Sequence, residues 1–104
     1  MQLGVIGLGR MGMNMARRLL RGNHKVVAYN RTADKVREIV QEGAVGVYSV
    51  PELAERLSLP RVVWLMLPAG AVVDEYLEHL RQVLSSGDMV IDGGYGQNVA
   101  STIV

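Results

Sequence analysis

The chain has 104 residues, which is enough for one compact domain and too few for two. Apolar residues make up 49%, so a packed core can form, and a formal net charge of +1 argues against the clustered basic face of a nucleic-acid-binding protein. Without cysteine there is neither a disulfide nor a thiolate metal ligand, and the two histidines lack metal-binding partners in the sequence. No apolar run reaches the ~18 residues of a membrane span, so we expect a cytoplasmic protein that contacts neither membrane nor nucleic acid.

Short apolar runs alternate with helical periods along the chain. The sequence predicts strands at 3–6, 25–29, 45–48, 62–67 and 89–91, and helices at 11–21, 33–42, 50–57 and 72–84. Thr32 is expected to cap the second helix, and residues 49–52 carry a capping-box signature for the third. The alternation is typical of an α/β Rossmann-like fold: a mostly parallel sheet of about five strands with helices on both faces.

Residues 95–104 predict no element. The chain stops where a sheet of this class continues to a sixth strand, so we expect a single dinucleotide-binding domain at 1–104 that is truncated at its C-terminus.

A glycine-rich turn joins the first strand to the first helix. Its candidate cofactor-binding residues are Gly7, Leu8, Gly9, Arg10, Met11 and Gly12. The first glycine permits the tight turn, the second lets the backbone approach a pyrophosphate, and the third lets the helix pack closely on the sheet. Free amides at the helix start favour phosphate binding. The alternative is a glycine-rich turn without a ligand.

The end of the second strand predicts which dinucleotide is bound. An NAD site usually has an acidic residue here for the ribose 2′-hydroxyl, but the chain has Asn30, followed by Arg31 and Thr32. A guanidinium binds phosphate in bidentate fashion, and the other two side chains can donate hydrogen bonds. The sequence therefore predicts NADP rather than NAD. The alternative makes Arg31 a solvated loop residue and Thr32 only a helix cap.

Two further loops follow the fourth and fifth strands, where ligands of open α/β sheets bind. Pro68, Ala69 and Gly70 are candidates for bordering the cofactor ribose, and residues 92–94, Asp-Gly-Gly, for bordering the nicotinamide. Ordinary turn chemistry explains both loops equally well.

The runs GLGRMGMNMARRL, VVAYNRT, VVWLMLPAG and GDMVIDGG resemble, in order and spacing, the N-terminal domain of decarboxylating 6-phosphogluconate dehydrogenases over residues 1–94. The β-hydroxyacid dehydrogenases, such as 3-hydroxyisobutyrate dehydrogenase, are a related alternative. Asn14 and the Asp-Gly-Gly at 92–94 favour the first family, because the hydroxyacid enzymes usually have Pro and Asp-x-Ser-Thr there.

The resemblance implies NADP-dependent oxidation of 6-phosphogluconate at C3, followed by loss of CO2 to give ribulose 5-phosphate, a step of the pentose phosphate pathway. It also implies that Gly7 through Gly12 hold the pyrophosphate, that Asn30, Arg31 and Thr32 hold the 2′-phosphate, and that the loop at 68–70 contacts the cofactor. Family members are homo-oligomers in which a large helical domain completes the substrate site and the dimer, and their catalysis uses a general-base Lys and a proton-donating Glu.

The chain departs from the family at Pro68, where Lys is common, and at Tyr95, where Asn contacts cofactor and substrate. The catalytic Lys and Glu of the family lie downstream of residue 104, so this chain is expected to bind cofactor without turning over substrate. A non-catalytic nucleotide-sensing module remains an alternative from a different functional class.

Overall fold

A six-stranded sheet organises the chain, of which the computed structural model describes residues 1–68, 70–93 and 99–102, the last four by their backbone alone. The elements are β1 (Gln2–Ile6), α1 (Arg10–Arg21), β2 (Lys25–Tyr29), α2 (Ala33–Val40), β3 (Val45–Gly46), α3 (Val50–Arg56), β4 (Val62–Leu65), α4 (Ala71–Val83), β5 (Met89–Asp92) and β6 (Val99–Thr102). The strand order is β3-β2-β1-β4-β5-β6. This is the order of the doubly wound dinucleotide-binding fold, which confirms the predicted class.

The first five strands are parallel, whereas β6 pairs with β5 in the antiparallel direction. The sequence predicted nothing over 95–104, so this edge strand is a finding of the structure. The other residues of that segment, 95–98 and 103–104, lie outside the described part of the chain.

Helices pack on both faces of the sheet, because successive strand side chains point to opposite sides. Val5 belongs to the cluster formed with α1 and α2, and Ile6 belongs to the cluster formed with α3 and α4. Both side chains are at most 1% exposed. The near-continuous burial of β1 is what a strand covered on both faces requires.

Three predicted elements, β3, α2 and β4, end two residues earlier than expected. β3 ends at Gly46: the Val47 N–H still donates to the Ala28 carbonyl of β2, and the next amide, of Tyr48, donates to the Glu52 carboxylate instead. α2 ends at Val40 because tighter i to i−3 bonds, such as Gly43 N–H to the Val40 carbonyl, close its last turn. β4 ends at Leu65, the last residue paired with β5, rather than at 67.

The two predicted caps differ in outcome. Ser49 Oγ accepts the Glu52 N–H at 3.1 Å, which confirms the cap of α3. Thr32 does occupy the N-cap position of α2, but its side chain makes no capping hydrogen bond. The prediction of a Thr32 side-chain cap is wrong, because the hydroxyl is held by Asn30 instead.

The longest described helix, α4, has 13 residues, and none of the described helices combines the length and apolar character that crossing a membrane requires. The carboxyl ends of the five parallel strands share one edge of the sheet, with the switch in strand order between β1 and β4. Ligands of open α/β sheets bind at such an edge.

Candidate functional site

The turn between β1 and α1 is built against the end of β4. Gly7 has a φ of +100°, which side chains rarely tolerate, and a Cβ there would lie 2.5 Å from the Met66 carbonyl oxygen. The Gly7 N–H donates to the Tyr29 carbonyl at 3.0 Å, so the turn is also tied to the end of β2.

Gly12, in the first turn of α1, allows the helix to approach this turn. A Cβ at Gly12 would overlap the carbonyl oxygen of Gly7 and lie 3.1 Å from the Met66 Cβ. Two of the three motif glycines are therefore required by contacts within the chain itself, whether or not a ligand is present.

Gly9 is different, because a Cβ built there meets no atom within 4 Å. It occupies the N-cap position of α1 with φ −67° and ψ −171°, a conformation that other residues adopt readily. Neither internal packing nor backbone strain requires glycine here. What its absent side chain leaves open is the space directly over the start of α1.

The positive end of the α1 helix dipole is exposed, and no acidic side chain compensates it. The helix has no side-chain cap, and its first internal bond is Met13 N–H to the Gly9 carbonyl at 2.8 Å. Within the described part of the chain, the amides of residues 9–12 have no acceptor. The first turns of the other three described helices each contain an acidic residue, whereas that of α1 contains none. Such a terminus is suited to an anion.

A groove of about 260 Å³ opens beside this terminus, between α1 and α2. It is lined by Gly9 and Arg10 on one side and by Lys35 on the other. Lys35 was not singled out from the sequence, although its place one turn after Arg31 puts a second cation near the start of α2. A larger groove of about 360 Å³ runs along the outer side of α1, past Met11, but includes no residue of the Asn30–Thr32 segment.

Leu8 anchors the turn but offers no free N–H to a ligand. Its side chain is fully buried in the core, and its N–H donates to Asn30 Oδ1 at 2.8 Å. On the other side of the same amide, Asn30 Nδ2 donates to Thr32 Oγ1 at 2.8 Å and to the Thr32 carbonyl at 3.3 Å. Asn30 thus connects the glycine turn to the loop after β2, a role the sequence did not reveal.

Arg31 is exposed at the carboxyl edge of β2 and makes no hydrogen bond or ion pair with the described residues. Its charge reaches Tyr76 of α4. The pKa of Tyr76 is raised to about 12, mainly by burial and then by Tyr29, whereas the charge of Arg31 opposes this rise by a smaller amount. The rings of the two tyrosines lie 6.2 Å apart. The Arg31 guanidinium is therefore free to donate hydrogen bonds to an anionic ligand.

The loop after β4 approaches the glycine turn. The Met66 N–H donates to the Ile6 carbonyl at 2.8 Å, while Pro68 and Gly70 are exposed and Gly70 is the N-cap of α4. Ala69, the other candidate of this loop, lies outside the described residues.

The loop after β5 begins at Gly93, where a Cβ would overlap the Trp64 indole nitrogen. Packing against Trp64 therefore accounts for this glycine without a ligand. The neighbouring residue, Gly94, lies outside the described part of the chain.

Comparison with known proteins identifies the family. Residues 2–102 match the family described as the NAD binding domain of 6-phosphogluconate dehydrogenase. Decarboxylating 6-phosphogluconate dehydrogenase from Haemophilus influenzae is 47% identical over 97 residues, which are 88% of this chain and 20% of that protein. An NAD(+)-dependent decarboxylating 6-phosphogluconate dehydrogenase from Haloferax volcanii is 46% identical over 94 residues, covering 90% of this chain and 31% of that protein.

A solved structure agrees with these relatives. The Plasmodium falciparum 6-phosphogluconate dehydrogenase, described in its apo form and in complexes with its cofactor NADP+ and its substrate 6-phosphogluconate, superposes with a TM-score of 0.82 at 33% identity. The match covers 90% of this chain and 21% of that one. The chain thus spans between a fifth and a third of the length of these proteins. It belongs to the family of nicotinamide-dinucleotide-binding domains of 6-phosphogluconate dehydrogenases.

Proposed function

We propose that the chain binds NADP across the carboxyl edge of its sheet and serves as the cofactor domain of a 6-phosphogluconate dehydrogenase. The observation that carries the proposal is the start of α1, with its unpaired amides, its missing acid and the open space over Gly9. A diphosphate placed there accepts from the amides and gains from the helix dipole.

Each candidate residue has a part in this proposal. Gly7 and Gly12 shape the turn, and Leu8 anchors it through its buried side chain and its N–H bond to Asn30. Gly9 and the amides of Arg10 and Met11 face the pyrophosphate. The loop at 68–70 borders the ribose. Lys35, in the same groove as Gly9, adds positive charge beside the phosphates.

The preference for NADP rests on the loop after β2. The 2′-phosphate would find the free guanidinium of Arg31 and the hydroxyl of Thr32, with no carboxylate at position 30 to repel it. The family's name does not decide this point, because the Plasmodium protein is described with NADP+ and the Haloferax protein as NAD(+)-dependent. The proposed preference for NADP over NAD therefore depends on the residues of this loop.

For the complete enzyme we propose oxidation of 6-phosphogluconate at C3 with hydride transfer to NADP, then release of CO2 and ribulose 5-phosphate. The substrate site and the proton-transfer groups would come from the helical domain of a cytoplasmic homo-oligomer, as the family implies. Asn14 and the Asp92-Gly93 sequence favour this reaction over the β-hydroxyacid alternative.

Calorimetric titration of the 104-residue chain with NADP and NAD tests the proposal. Arg31→Ala removes a charge-assisted contact to the 2′-phosphate, so the affinity for NADP falls by about 1.5–3 kcal/mol while the affinity for NAD is unchanged. Arg56→Ala is a matched control, because this exposed arginine ends α3 near the start of β1 and away from the carboxyl edge. Equal losses for both dinucleotides in Arg31→Ala would contradict the NADP assignment, and no binding of either by the folded wild-type chain would contradict the function itself.

A further inference from the structure

Asn30 joins two loops that come from different parts of the sheet. Its Oδ1 accepts the Leu8 N–H at 2.8 Å, and its Nδ2 donates to Thr32 Oγ1 at 2.8 Å. Leu8 lies in the glycine turn after β1, and Thr32 precedes α2. One side chain therefore fixes the spacing between the proposed pyrophosphate site and the proposed 2′-phosphate site.

The orientation of this amide is dictated by its neighbours. A backbone N–H can only donate, so the group facing Leu8 must be the oxygen. The Thr32 carbonyl can only accept, so the group facing it at 3.3 Å must be the NH2. Both constraints agree, and an amide is the side chain that meets them together.

This arrangement has a consequence for the Thr32 hydroxyl. Because its oxygen already accepts from Asn30, its proton points away from Asn30 and is available to an outside acceptor. Thr32 makes no helix-capping bond that would compete for its oxygen. Asn30 thus prepares a hydroxyl donor next to Arg31.

The same arrangement disfavours an acidic residue at position 30. A carboxylate could still accept from Leu8, but its second oxygen would face both the Thr32 carbonyl and the Thr32 hydroxyl oxygen. With no N–H to donate, it would repel the carbonyl and turn the hydroxyl proton inward. A carboxylate would therefore remove the donor that a 2′-phosphate needs, in addition to repelling the phosphate directly.

We propose that Asn30 is a positioning residue that holds the glycine turn and the loop after β2 in register, and that it sets NADP specificity through Thr32 rather than by touching phosphate itself. This inference rests on the proposed function and assigns Asn30 a role different from that of Arg31. A direct phosphate ligand affects NADP alone, whereas a brace between the two loops affects NAD as well.

The test compares Asn30→Ala, Asn30→Asp and Thr32→Val in the 104-residue chain, by titration with NADP and NAD and by amide hydrogen exchange at Leu8. Asn30→Ala removes the brace, so both affinities fall by about 5- to 30-fold and the Leu8 amide loses protection. Asn30→Asp retains the Leu8 acceptor and restores its protection and NAD binding, while NADP binding falls. Thr32→Val lowers the affinity for NADP only.

The double variant Asn30→Ala/Thr32→Val separates coupling from independent effects. Because the hydroxyl is already misdirected without Asn30, its loss should add little, and the combined effect on NADP should be smaller than the product of the two single effects. Multiplicative effects, or a loss confined to NADP in Asn30→Ala, would overturn the proposal, as would unchanged Leu8 exchange in that variant.

The outcomes also distinguish this inference from the proposed function. Equal affinities of the wild-type chain for NADP and NAD would contradict NADP selection and therefore the specificity role of Asn30. The brace itself would still be decided by Leu8 exchange and by the loss of NAD affinity in Asn30→Ala. A folded wild-type chain that binds neither dinucleotide would overturn both the function and the role of Asn30 in it.

Discussion

The variant Gly9→Ala tests whether glycine at this position is required by the fold or by ligand binding. The backbone at Gly9, with φ −67° and ψ −171°, suits alanine, and the added Cβ meets no atom within 4 Å. The folded chain therefore accommodates the methyl group without strain. Alanine lowers the entropy of the unfolded chain but is a poorer N-cap residue than glycine, so the two effects oppose each other and the free energy of unfolding should change by less than about 1 kcal/mol.

Cofactor affinity, by contrast, should fall clearly in Gly9→Ala. A phosphate oxygen accepting from an amide at the start of α1 lies about 2.9 Å from the nitrogen, and a methyl carbon beside that amide narrows the approach. Loss or lengthening of one charge-assisted hydrogen bond costs about 1.5–3 kcal/mol, which corresponds to a roughly 10- to 150-fold weaker affinity for NADP and NAD alike.

The assay is thermal or urea unfolding together with calorimetric titration of the same preparation. Gly12→Ala is the contrasting variant, since its Cβ would overlap the Gly7 carbonyl oxygen. It should lower the free energy of unfolding by about 1–3 kcal/mol. If Gly9→Ala binds both dinucleotides as tightly as the wild-type chain, the pyrophosphate does not lie over Gly9 and the proposed binding geometry is refuted.

Two further predictions concern stability. Ser49→Ala removes the cap of α3 and should lower the free energy of unfolding by about 0.5–2 kcal/mol in urea denaturation, whereas Ser58→Ala, an exposed control, should change it little; equal effects would contradict the capping role. Asp88 is fully buried, and burial by itself raises the pKa of its carboxyl. The N–H groups of Ser85 and Arg61 and the Arg61 guanidinium lower this pKa by more. The pKa of Asp88 therefore lies below its ordinary value of 3.8. This carboxylate contributes stability above pH 3.8 that is lost as the pH falls through the lowered pKa. Asp88→Asn should therefore lower the free energy of unfolding by about 1–3 kcal/mol at pH 7, and the difference from the wild-type chain should shrink at pH 3; a difference independent of pH would exclude the carboxylate as its cause.

The elements that the sequence predicted well are those in which local pattern and burial agree. β2 begins and ends at the predicted residues, because its apolar run lies between an exposed turn and the polar Asn30. β3 and β4 were predicted too long, since the residues after each strand make other contacts, local for β3 and with a distant segment for β4. The Tyr48 amide goes to the Glu52 carboxylate, and Met66 packs against the glycine turn.

β6 could not be predicted for a related reason. Val99–Thr102 forms an edge strand by pairing with β5 alone, so its position depends on the neighbouring strand rather than on a periodicity of its own. A four-residue segment offers too few positions for an alternating pattern to stand out from a loop.

The candidate site shows the same division between chain pattern and spatial contact. Glycine spacing after an apolar strand was enough to predict the turn and the start of α1. Spacing along the chain cannot tell that Asn30 reaches back to Leu8, or that Lys35 shares a groove with Gly9. Those relations join segments more than twenty residues apart, and only the folded sheet brings them together.

The three glycines of the turn also show why the motif alone is a weaker argument than its structural setting. Gly7 and Gly12 are required by contacts with Met66 and with each other, so a ligand-free fold of this shape would keep them. Gly9 has no such contact, and it lies over the one described helix whose first turn lacks an acid. A sensing module and a dehydrogenase would need this feature equally, because both must hold the diphosphate. The choice between them therefore rests on the family to which the chain belongs, whereas dinucleotide binding rests on the physics of this helix terminus.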